Sequence, residues 1–110
     1  MWAPPAIKKV WILTFEFSNI AKVGGLGEAT SLIAKELARR GFDVTVFMPS
    51  HGVRPQGFYM LSERCSGTRY GVDGVAYPYE IGYLEGLVDG AKVVLITGLS
   101  PQTSSVLDTW

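Results

Sequence analysis

Apolar positions in the first half of the chain change period twice. Val10-Trp11-Ile12-Leu13-Thr14-Phe15, within Ile7–Phe17, is a short continuous apolar run. Such a run predicts a parallel strand buried on both faces. From Gly25 the spacing becomes helical, with Leu26, Ala29, Ile33 and Leu37 on one stripe and Leu32 widening it. Glu28 in the first turn and Arg39 and Arg40 in the last suit the helix dipole, Glu36 and Arg40 form an i,i+4 pair, and Gly41 is the expected stop. Asp43-Val-Thr-Val-Phe-Met48 then reads as a second strand. Strand, helix and strand over some forty residues predict a βαβ unit with parallel strands and a right-handed crossover.

The second half has another character. From Gly67 onward glycine and tyrosine are frequent, and Val75–Leu84 and Ala91–Thr97 read as two strands of a hairpin turning at 85–90. Pro101–Ser105 reads as a loop. The expected fold is α/β: a parallel βαβ start followed by a β-hairpin, with one helix to cover the sheet. Hydrophobic residues make up 47% of the chain and the mean hydropathy is +0.20. That is high for so small a domain, and a single helix leaves one sheet face bare. The chain therefore reads as a piece of a larger protein, and in isolation as a homo-oligomer joined through the exposed sheet.

Charge and cysteine usage remove several functions. Ten basic and ten acidic side chains cancel, and the basic ones are scattered, which argues against nucleic-acid binding. A lone Cys65 excludes an internal disulfide or a cysteine-rich zinc site. Met1-Trp-Ala-Pro-Pro5 has no basic segment leading into an apolar one, and no apolar run reaches the roughly 20 residues of a membrane span. The expectation is a cytoplasmic protein without a membrane partner, metal or cofactor.

Chemistry concentrates at Lys22-Val-Gly-Gly-Leu-Gly-Glu-Ala29, between the first strand and the helix. Ligands of open α/β sheets bind at the carboxyl ends of the strands. Those ends gather Glu16, Lys22, Gly24, Gly25 and the Ser50-His51-Gly52 loop. Glycines let backbone N–H groups approach a phosphate, the helix N-terminus adds partial positive charge, and Lys22 adds a full one. The same glycines could also serve only to turn the chain. Gly24, Gly25 and Gly27 have the wrong spacing for a dinucleotide fingerprint, and Glu28 after Gly27 excludes a P-loop.

Glu16-Phe17, Lys22-Val-Gly-Gly-Leu, a helix, and Val44-Thr-Val-Phe-Met-Pro49 in that order resemble the N-terminus of bacterial-type glycogen and starch synthases. The resemblance runs over Val10–Gly52. Phe15-Glu-Phe17 and Pro49-Ser-His-Gly52 are most similar to archaeal members. It implies a Rossmann-like N-terminal part of a GT-B glycosyltransferase, which moves glucose from ADP-glucose or UDP-glucose to an α-1,4-glucan with retention. It further implies that Lys22, Gly24 and Gly25 meet the donor's phosphates. Glu16 and His51 would line the cleft, His51 on the acceptor side. No catalytic set is complete, because residues 1–110 form part of one domain and the nucleotide-sugar domain is absent. Such a fragment is expected to be inactive alone. The alternative is a free-standing regulatory or protein-interaction module with the same fold. Tyr70, Tyr77, Tyr79 and Tyr83 alternate partly at strand spacing, for packing or for sugar stacking.

Overall fold

The computed structural model describes residues 8–18, 20 and 25–109. The elements run β1 (Lys9–Leu13), α1 (Gly25–Arg39), β2 (Asp43–Pro49), β3 (Tyr59–Tyr70), β4 (Ala76–Val88), β5 (Ala91–Gly98) and α2 (Pro101–Leu107). One five-stranded mixed sheet has the order β1-β2-β5-β4-β3. β1, β2 and β5 are parallel neighbours, with Val10 opposite Val44 and Val46 opposite Val93. β4 is antiparallel to β5 and β3 antiparallel to β4. The parallel start and the following hairpin are as the patterning predicts.

Alternation sets the core. Val44, Val46 and Met48 of β2, Ala91, Val93 and Leu95 of β5, and Leu84 of β4 are buried together with Phe17 and Ala34. α1 covers this face, and Gly41, at φ 91°, ends it with Phe42 N donating to Leu37 O at 3.1 Å. Glu36 pairs with Arg39 at 2.7 Å and Arg40 at 3.0 Å, whose hydrogen bonds hold its carboxyl down at about 2.

Four expectations need correction. β1 is a sheet edge covered on one face only: Trp11 is 71% and Leu13 77% exposed. Lys9 is exposed on the same side, and Val10 and Ile12 on the other are half-buried. α1 is rotated from its apolar stripe: it buries Gly27, Thr30 and Ala34 and leaves Leu26, Leu32 and Ile33 exposed. Small side chains let the helix sit close to the sheet, so Leu26, Leu32 and Ile33 point away while Leu37, the last of the stripe, packs against the core. The hairpin turn is shorter than 85–90, because β4 pairs through Val88 opposite Ala91. Asp89 at φ 50° and Gly90 at φ 85° form a two-residue turn whose positive φ values suit the twist of the strands. Residues 101–105 belong to a helix. Pro101 occupies its first turn, and Ser100 N donates to Thr103 Oγ1 at 3.2 Å. β3 is a twelve-residue edge strand that the patterning does not predict.

Candidate functional site

The carboxyl ends of β1, β2 and β5 lie along one edge of the sheet, which fixes the geometry of the loops that leave it. After β1, Thr14 Oγ1 donates to Glu16 O at 2.9 Å and accepts from Glu16 N at 3.2 Å. This tight turn leaves Glu16 half-buried immediately past the strand end. Phe17 inserts into the core at 1% exposed. Ser18 N donates to Ser31 Oγ at 2.7 Å, and Ser31 Oγ donates to Gly27 O at 2.8 Å. The chain leaving β1 is thus moored to the first turns of α1.

Gly25 opens α1 at this edge. Its φ is not in the left-handed region, and a Cβ added to it would meet nothing within 4 Å. Neither backbone conformation nor packing requires glycine there. Lys22 and Gly24 lie outside the described residues.

β2 leads into Ser50 and His51 at the same edge. His51 sits at φ 53°, and its N–H donates to Leu107 O at 2.8 Å. Its Nε2 lies 2.8 Å from Phe15 O and its Nδ1 3.0 Å from Thr109 O. The ring therefore spans the loop after β1 and the end of α2. Glu16 and His51 are brought to one edge with Gly25, as the strand order predicts.

A second polar centre adjoins it. Asp108 Oδ1 accepts from Ser50 Oγ at 2.8 Å, Thr97 Oγ1 at 3.0 Å and Gly98 N at 3.1 Å. Burial works against the charge, but the hydrogen bonds from Gly98, Ser50, Thr97 and Ser104 outweigh it and hold the carboxyl below its ordinary value. The sequence does not mark Asp108, because the segment before it has the pattern of a loop and no spacing joins it to Ser50. Among the described residues no group of three or more His, Cys, Asp or Glu side chains could hold a metal ion.

Comparison with known proteins agrees with this architecture. The profile of the starch synthase catalytic domain matches residues 9–100. The rice (Oryza sativa subsp. japonica) soluble starch synthase 2-2, chloroplastic/amyloplastic, is 31% identical over 94 residues, which are 86% of this chain and 13% of the rice protein. A glycogen synthase of Clostridioides difficile is 43% identical over 47 residues, 43% of this chain and 10% of that protein. The catalytic domain of starch synthase IV from Arabidopsis thaliana, solved bound to ADP and acarbose, superposes with a TM-score of 0.66 at 26% identity. That superposition covers 90% of this chain and 20% of the Arabidopsis chain. This chain thus spans a small part of the length of the relatives it matches.

Proposed function

The chain belongs to the starch synthase catalytic-domain family, and on that premise we propose that it is the N-terminal part of a retaining glycosyltransferase. The parent moves glucose from ADP-glucose or UDP-glucose to the non-reducing end of an α-1,4-glucan. The observation that carries this reading is the position of Gly25, which opens a fifteen-residue helix at the carboxyl edge of the parallel strands. A helix N-terminus there turns the N–H groups of its first turn and a partial positive charge toward a phosphate. Lys22, Gly24 and Gly25 receive the donor's diphosphate, and Lys22 stabilises the negative charge that develops as the nucleoside diphosphate leaves. Glu16 and His51 line the cleft on the same edge. The Arabidopsis relative solved with ADP and acarbose supports a nucleotide and an oligosaccharide as the two ligands.

These residues form one wall of a cleft, so the isolated chain does not transfer glucose. Alone, it covers its open sheet face with a second copy of itself. That face has an apolar centre of Trp11, Phe47 and Val94 and charges of both signs at Lys9, Asp43, Glu63, Glu85 and Lys92, of which Glu85 and Lys92 pair within the chain at 3.7 Å. Such a mixed rim can complement itself across a two-fold axis. The free thiol of Cys65 is exposed, as suits a reducing, cytoplasmic setting.

The test is a chimera in which residues 9–100 replace the matching segment of the Arabidopsis catalytic domain. It should extend a glucan from labelled ADP-glucose or UDP-glucose. Lys22→Ala should lower kcat by about a hundredfold or more, the scale of losing one preorganised donor, without changing the chimera's Tm. A folded chimera without transfer, or one indifferent to Lys22→Ala, refutes the assignment.

A further inference from the structure

Past the carboxyl end of β5 the sheet continues as two strands only. Ile81 is the last residue of β4 to face β5, opposite Gly98, while Ala76–Glu80 pair with β3 alone. α2 lies beside this extension, locked to it by Thr103 Oγ1 donating to Glu80 O at 2.7 Å. Between them is a cavity of about 540 Å³ lined by Arg69, Tyr77, Tyr79, Asp73, Gln102 and Thr103, among others. Its volume falls within the roughly 300–1,000 Å³ range of small-molecule sites.

The tyrosine rings are placed by missing side chains opposite them. Tyr79 faces Gly67 across the hairpin, where a Cβ would come 2.6 Å from the ring's Cζ. A Cβ on Gly71 would come 3.0 Å from Cε2 of Tyr77. Both rings thus lie against the backbone, and each remains more than a third exposed, at 38% for Tyr77 and 37% for Tyr79. Arg69 stands opposite Tyr77 in the register. Asp73 is held in the turn by Val75 N at 3.0 Å and Tyr77 Oη at 3.4 Å. Gln102 projects from the first turn of α2.

We infer that this cavity is a subsite for an α-1,4-linked glucan, distinct from the donor-phosphate turn. Two aromatic faces at strand spacing match the apolar faces of successive pyranose rings. Guanidinium, carboxylate and amide groups together offer hydroxyls both donors and acceptors. Arg69 and Asp73 cancel in charge, which favours a neutral polyhydroxylated ligand over a phosphate or an acidic peptide. The cavity also stands at the edge toward which β1, β2 and β5 point. The choice of an α-glucan over other neutral sugars rests on the proposed function.

Maltoheptaose titrated into the purified, isotope-labelled chain tests the site by amide NMR, with cellohexaose as the control. Saturable shifts are expected at residues 67–79 and 102–103, with cellohexaose weaker. Tyr79→Ala should weaken binding about tenfold, as loss of a stacking face would, while Tyr79→Phe keeps most of it. Exposed Gln102→Ala should weaken it several-fold and decides the matter if Tyr79→Ala does not fold. No saturable shift, shifts confined to the region of Gly25, or an equal response to cellohexaose overturns the inference. Failure here with an active chimera refutes the subsite alone. Binding here with a folded, inactive chimera refutes the proposed function alone.

Discussion

The β1–α1–β2 half and the junction of α2 with the sheet differ in how they are closed. In the first, large apolar side chains face outward from the sheet edge and from α1: Leu13 is 77% and Leu32 63% exposed. In the second, Ser50 is 1% exposed, and the side chains of Ser50, Thr97 and Asp108 satisfy one another. The half that carries the family motif is the half left open. The junction is closed by hydrogen bonds within the chain. A surface built to meet further protein keeps apolar area in reserve, whereas a junction internal to the chain must pair every polar group it buries.

One glycine from each half breaks or sharpens this contrast most strongly. A methyl group at Gly98 would lie 2.2 Å from Ser104 N and 2.5 Å from Ser104 Cα. Both are backbone atoms, so α2 itself would have to move. Gly98→Ala is expected to cost about 3 kcal/mol or more in urea unfolding. In Gly25→Ala the added methyl meets nothing within 4 Å and stands at the first residue of the helix, so the change should lie within about 0.5 kcal/mol of neutral. Equal effects at the two positions would remove the distinction between a closed junction and an open motif.

Asp108→Asn is next in size. It removes a charge that accepts hydrogen bonds from Ser50, Thr97 and Gly98, and about 2 kcal/mol should be lost at neutral pH. The folded pKa lies below the ordinary value of 3.8, so in acid the unfolded chain binds the proton first. The stabilisation is full above that ordinary value and disappears as pH falls through the folded pKa. Unfolding free energies of the two proteins should therefore run parallel from pH 7 to about pH 5 and converge below about pH 4. A gap independent of pH would assign the effect to shape instead of charge.

The legible parts of the fold were those whose side chains meet the sheet at a regular period. Val44, Val46 and Met48 alternate as a half-buried strand does, and Gly41 ends α1 where the spacing stops. β3 escaped because it is an edge strand: Ser62-Glu-Arg-Cys-Ser66 is exposed throughout, so nothing forces apolar residues to alternate there. α2 escaped because it buries no residue completely and is held by hydroxyls. The site was legible only as a meeting of strand ends. Glu16, Gly25 and His51 follow from strand order, whereas Asp108 reaches Ser50 across 58 positions that share no pattern.

The smallest expected change in stability addresses the open half directly. Leu13 stands on the uncovered side of an edge strand, beyond the aromatic pair of Trp11 and Phe47, whose ring centroids are 5.5 Å apart and whose planes meet at 74°. An exposed side chain that closes no cavity can be exchanged for lysine at a cost within about 0.5 kcal/mol. If the bare face is covered by a second copy, however, Leu13→Lys puts two like charges into that interface, one from each copy. Light scattering should then show an associated parent chain and a monomeric variant at the same concentration, with melting of the monomer unchanged. A parent chain that scatters as a monomer at high concentration would mean that the open face tolerates water unaided, and its apolar side chains would need another explanation than a missing neighbour.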